Sequence, residues 1–153
     1  MAIQGPMTWI DRALKKIADG TMNISSDAFH MVLLNSSQAI SATFVGSSGD
    51  ARYADLTGEL STANGYTNGG LSLTGLSLTR VAVNTVSFTS TAAQWTLTSS
   101  ITFKYVAIVD WTTANKDILG FCDMDTGGGS ISPSTGLFAI NPDAANGWLY
   151  WTQ

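Results

Sequence analysis

Two stretches decide how this chain reads: Gly58-Glu-Leu-Ser-Thr-Ala-Asn-Gly-Tyr-Thr-Asn-Gly-Gly-Leu-Ser-Leu-Thr-Gly75 and Trp95-Thr-Leu-Thr-Ser-Ser-Ile-Thr-Phe-Lys-Tyr-Val-Ala-Ile-Val109. The first sets Asn64-Gly65 and Asn68-Gly69-Gly70 on either side of Tyr66. Asn and Gly supply the positive φ angles that tight turns need. A tyrosine between them can cover the core while its hydroxyl finds a partner. The second stretch alternates. Trp95, Leu97, Ile101, Phe103 and Tyr105 face one side, and Thr96, Thr98, Ser100, Thr102 and Lys104 face the other. That is the period of a strand. From Tyr105 to Val109 both sides turn apolar, so one long strand is expected to enter the middle of the fold. Neither stretch carries a catalytic group, which argues for a β-rich building block rather than an enzyme.

Outward from these stretches, residues 8–20 give the one helical pattern. Ile10, Ala13, Leu14 and Ile17 recur at helical spacing beside Trp9, and Gly20 stands where a helix stops. Thr8 is the expected cap, with Asp11 three residues on as a weak capping-box acid. Met1 to Thr8 reads as an N-terminal arm, and residues 9–153 as a single domain. Phe29-His-Met-Val-Leu-Leu34 is a buried strand between polar turns. Residues 35–57 form a long irregular stretch, and loops of that length are usually functional or touch another chain. Leu71 and Leu73 change parity to Leu76 and Leu78 at Gly75, as at a bulge or tight turn. Val81, Val83, Val86 and Phe88 continue in short alternating pieces, and further strands are expected at 118–122, 136–141 and 147–152. The expected fold is mainly β, an antiparallel β-sandwich or jelly roll with one short N-terminal helix.

Composition narrows the function. The 153 residues are 44% hydrophobic but only 12% charged, about half the usual charge. Ser and Thr fill the polar positions, giving a weakly self-repelling surface suited to packing against neighbours. A net charge of −4 argues against nucleic-acid binding. No apolar run approaches the roughly 20 residues that cross a bilayer, and no signal peptide is evident. A protein made in the cytoplasm without a membrane anchor is expected. Cys122, the single cysteine, lies in the apolar run 118–122 and reads as a small buried hydrophobe.

The candidate sites are thin, so neither catalytic nor cofactor nor metal residues are assigned. His30, the single histidine, sits inside the apolar run 29–34 with no nucleophile elbow to complete a triad. Asp123-x-Asp125-x-Gly127-Gly128 resembles the start of a calcium loop, but the later ligands are missing, and a glycine-rich turn is the simpler reading. Gly127-Gly-Gly129 lacks the Lys-Ser/Thr of a phosphate loop. Asp110 and Asp117 flank the turn 111–116 and form the best-placed carboxylate pair; solubilising charges on a hairpin loop explain them more simply than a sugar cleft. Trp148-Leu-Tyr-Trp151 offers either a sugar-stacking platform or core and interface anchors, and the latter is preferred.

The order of these pieces resembles a group of small virion proteins of tailed bacteriophages and prophages. The residues that carry the resemblance are Gly20, Met31 to Leu34, Gly58, Glu59, Ser61, Gly65, Tyr66, Thr67, Gly69, Gly70 and Leu73, then Trp95, Thr96, Ile101, Thr102, Tyr105 and Ile108. The resemblance spans residues 10–122, and the Gly-rich C-terminal third departs from it. It implies a capsid decoration, or cement, protein in the virion. Such a protein forms homo-oligomers and contacts the major capsid protein, with the arm 1–8 and loop 35–57 as contact surfaces. A tail or head-fibre component that binds host glycans is the alternative. Within the motif, Glu59 is expected to accept from backbone donors or to pair with an arginine, with Arg52 or Arg80 available.

Overall fold

The computed structural model describes residues 7–152, and the arm residues 1–6 lie outside them. The chain is mainly β, with antiparallel sheets and one short helix. A five-stranded sheet holds β1 (Thr8–Trp9), β2 (Phe29–Leu34), β3 (Leu71–Ser72), β7 (Tyr105–Asp110) and β8 (Ile118–Asp123), in the order β1-β8-β7-β2-β3. A three-stranded sheet holds β4 (Ser77–Ala82), β5 (Thr85–Thr89) and β10 (Leu149–Thr152), in the order β10-β5-β4. A ribbon pairs β6 (Ala93–Leu97) with β9 (Gly136–Ile140).

The apolar run 29–34 and its partner β7 form the centre because both their faces are covered. Register pairs Phe29 with Asp110, Met31 with Ile108 and Leu33 with Val106, which puts these six on one face of the sheet. That face meets the three-stranded sheet: Phe29 packs edge-on against Phe88 at 5.2 Å, and Trp9 against Trp151 at 5.3 Å. Gly120 marks a close approach of β8 to β1 and β10. A Cβ there would stand 2.8 Å from the Thr8 carbonyl oxygen and 2.9 Å from a Leu149 methyl.

The long loop is tied into the fold at several points. Gln38 is buried and accepts from the Gly58 N–H at 2.8 Å. The Ala51 carbonyl takes the Ile118 N–H at 2.9 Å, and the Ala42 carbonyl takes the Asp11 N–H at 2.9 Å. The loop's exposed residues include Ser36, Ser37, Ala39, Ser41 and Thr43 as well as Val45 and Ser47 to Gly49.

Three local expectations, for Thr8, for one strand from Trp95 to Val109 and for Lys104, are corrected. Thr8 does not cap the helix: it pairs with Phe121 in β1, and α1 runs Asp11–Ala18 with Ile10 at the cap position and no side-chain cap bond. Strand pairing outcompeted the local cap. The parity change at Gly75 (φ 63°) is where the chain leaves the five-stranded sheet for the three-stranded one. The expected single strand Trp95–Val109 is two strands in different sheets. The Thr98 N–H bonds the Asn64 carbonyl, and the Ser100 carbonyl accepts from the Asn64 side chain, which draws the chain away from β9. Lys104, expected on the solvent side, is buried at the joint.

Replacing Gly120 by Ala should cost about 1–3 kcal/mol, the usual penalty for overpacking a tight contact. The loss is read as a lower urea midpoint with an unchanged slope; an unchanged midpoint means that the Thr8 and Leu149 contacts relax freely.

Candidate functional site

Around Tyr66 the turn chemistry behaves as its residues dictate. Asn64 and Gly65 take φ angles of 56° and 91°, and Ala63 and Tyr66 exchange backbone hydrogen bonds of 3.0 and 2.9 Å across them. Tyr66 is thereby folded into the core, where its hydroxyl accepts from the Leu33 N–H and donates to Glu59 Oε1 at 2.7 Å. Glu59 is the hub. Oε1 also accepts from the Gly69 N–H at 2.7 Å; Oε2 accepts from the Tyr53 hydroxyl at 2.5 Å and from Asn68 Nδ2 at 2.9 Å. Burial first, and the Glu59 carboxylate second, raise both tyrosine pKa values above the ordinary range. Neither arginine serves Glu59. Arg52 pairs with Asp50 at 3.3 Å, and Arg80 lies on β4 in the other sheet.

The Gly69 carbonyl in turn receives His30 Nδ1 at 2.8 Å. The His30 ring stacks flat on Trp111 at 4.2 Å, and Lys116 Nζ sits 3.8 Å from the same indole centroid. Both groups cannot occupy one face, so the Trp111 ring is covered on both sides. The ring nitrogen that a triad carboxylate would hold is thus taken by a backbone carbonyl. Trp148 is fully buried, with Nε1 donating to Ser90 Oγ at 2.8 Å, so it is core and not an exposed platform.

Asp110 and Asp117, read as loop charges, are both buried, and their side chains point to different partners. Asp117 binds Lys16 Nζ at 2.5 Å, and Lys16 also lies 3.5 Å from Asp50. This links α1, the long loop and the β7–β8 hairpin. Asp110 Oδ1 accepts from the Thr112 and Thr113 N–H groups, whereas Oδ2 as a carboxylate is buried without a partner. Burial, with a smaller contribution from the neighbouring Asp27 carboxyl, raises the Asp110 pKa to about 6 against the two backbone donors. Protonated, it can donate to Asp27.

The Asp123–Gly129 turn holds a cation of its own chain. Lys104 Nζ donates to the Asp125 and Gly129 carbonyls at 3.1 and 3.3 Å and lies 3.2 Å from Asp123 Oδ2. Of the two carboxylates that resembled the start of a calcium loop, Asp123 therefore faces an ammonium, and Asp125 Oδ1 accepts from the Gly127 N–H at 3.0 Å. Among the described residues no cluster of three or more His, Cys, Asp or Glu is placed to hold a metal. Cys122 is buried in β8, as its apolar run suggested.

What remains open is a surface. All six residues of β4 are exposed; Leu78, Val81 and, in the turn after β4, Val83 expose 38%, 46% and 77% of their area. Beside this strand, Leu14, Ile17 and Ala18 of α1 form an apolar groove with Trp151. Leu78 continues it towards Gly20 and residues 22–25. Arg80 is the only charged residue between Glu59 and Lys104. Sequence reading missed this surface because alternation alone does not say which strand is left at an edge. The comparisons made with protein-family models, curated proteins and solved structures gave no match.

Two substitutions check these assignments. Glu59→Gln turns one acceptor into a donor facing donors, and should lower stability by about 2–3 kcal/mol in chemical denaturation; a neutral result means that the hub is dispensable. Between pH about 4 and 6 the folded protein holds an Asp110 proton that the unfolded chain has released, so stability falls as pH rises through that window. Asp110→Asn keeps the Thr112 and Thr113 bonds and can donate to Asp27. It should melt higher than the parent at pH 8, with the gain gone near pH 4; equal melting at both pH values removes the assignment.

Proposed function

We propose that this chain is a virion structural protein of a tailed bacteriophage: a capsid decoration, or cement, protein without catalytic activity or cofactor. It binds the outside of the head and stabilises major capsid subunits. It is made in the host cytoplasm and resides in the virion. The observation that carries the reading is the exposed surface of β4 and its turn, where Arg80 is the one charge, beside the apolar groove at Trp151. Exposed apolar area of this kind marks surfaces that meet other proteins. The resemblance carried by residues 58–73 and 95–108 supplies the kind of assembly. The internal partners of His30, Asp117 and Lys104 support a structural reading of those groups.

We read the fold as an antiparallel sandwich of the jelly-roll kind. The Phe29–Phe88 and Trp9–Trp151 contacts between the five- and three-stranded sheets support this layering. The capsid contacts fall on the exposed turn 45–49 of the long loop and on the N-terminal arm, and copies of the chain contact one another elsewhere. The glycan-binding alternative keeps only the half-exposed Tyr150 and Trp151, since Trp148 is buried and Trp111 is covered on both faces.

Purified protein mixed with undecorated capsid shells should co-sediment with them saturably and raise their melting temperature. Failure to bind shells, combined with binding to host cell surfaces, moves the protein to the tail or a head fibre.

A further inference from the structure

The three-stranded sheet ends at β4, and among the described residues no strand pairs with its far edge. Sheet edges left open recruit another strand unless charge, proline, a bulge or a covering segment blunts them. Here the bulge lies between Arg80 and Ala82, which leaves Ser77 to Arg80 flat and available. Leu78 and Arg80 are registered with Phe88 and Val86, in line with Leu149 and Trp151 of β10. Their side chains therefore lie on the face of the sheet that looks towards α1.

We propose that β4 pairs antiparallel with β4 of a second copy, about a two-fold axis through Thr79. In that register Leu78 stands opposite the partner's Arg80, and Ser77 opposite the partner's Val81. A two-fold contact repeats itself, so each favourable pair counts twice. The hollow beside Leu78 is walled by Ile17, Gly20 and residues 22–25, from the C-terminal turn of α1 and the segment after it. Helix carbonyls at that end favour a cation. Asp19, exposed at the helix C-cap, adds a carboxylate held by Lys15 at 2.7 Å and by the Thr21 N–H. The partner's Arg80 enters this hollow, its stem over Leu78 and its guanidinium towards Asp19. Arg80 itself has no carboxylate within salt-bridge distance among the described residues of its own chain. With no other charge between residues 60 and 103, the seam buries no anion from this segment, although each copy carries −4 overall. The contact names the self-association within the proposed assembly and rests on that reading for its role in the virion, but it is a property of the free protein.

Sedimentation equilibrium of the purified chain tests it. The parent should be a dimer, Arg80→Asp and Asp19→Arg should each raise the dimer dissociation constant at least tenfold, and the double exchange should restore it. Circular dichroism establishes that each variant is folded. Thr79→Cys should cross-link two copies on mild oxidation, because residues facing across a two-fold pair bring their Cα atoms to about 4.5–5.5 Å; Gln94→Cys on β6 should not. A parent that stays monomeric, or a dimer untouched by Arg80→Asp, overturns the pairing. Shell binding separates the two ideas. A monomer that binds shells keeps the decoration reading and sinks this one, and if Arg80→Asp then abolishes binding, the edge takes a capsid segment instead. A β4 dimer that ignores shells does the reverse.

Discussion

The carboxylate of Glu59 gathers donors from several separate segments of the chain. Its four donors come from the 3-10 turn at Tyr53–Asp55, from the hairpin turn at Tyr66 and from residues 68 and 69 beyond it. Each donor is short, and the acceptor is charged, which makes these bonds roughly twice as strong as neutral ones. The consequences propagate through backbone. Gly69 held at its N–H presents its carbonyl to His30; His30 then lies flat on Trp111, and Trp111 carries Lys116. Glu59 itself bridges to Leu34 at the end of β2. One anion thus fastens a covering layer to the central strand of the larger sheet.

The scarcity of charge gives the remaining ion pairs their positions. Lys16 reaches Asp117 across 101 residues of sequence, and Lys104 closes the glycine turn 125–129. Pairs buried this way cost desolvation and return only part of it in Coulomb energy. What they add is definition, since a Ser/Thr-rich loop has few apolar anchors. Asp110 shows the opposite balance: two backbone donors hold one oxygen while burial works against the charge on the other.

Legibility followed the range of the interaction. The Asn64-Gly65 turn, the inward Tyr66 and the buried run 29–34 were readable because turn chemistry and apolar runs act locally. The Thr8 cap was not, because β1 pairs with β8 more than a hundred residues away. Alternation described the right faces from Trp95 to Phe103 but not at the buried Lys104, and could not show that Asn64 divides the stretch between two sheets. Asp110 and Asp117 read as solvated charges because their surroundings, Asp27 and Lys16, come from the other end of the chain.

The open edge of β4 gains its weight from the same scarcity of charge. A strand with one bulge, one arginine and no lysine or proline is poorly defended against pairing. Elsewhere this chain spends its few charges on internal structure, with Lys16, Arg52 and Lys104 all paired to carboxylates. Arg80, like Arg12, has no carboxylate partner among the described residues, and it stands beside an apolar groove on the edge strand. A solitary monomer has little use for that combination: the arginine neither caps nor crosslinks its own fold, and Leu78, Val81 and Val83 lose contact area to water. Pairing through the edge resolves both at once, because covering the apolar side chains and supplying a carboxylate require the same neighbour.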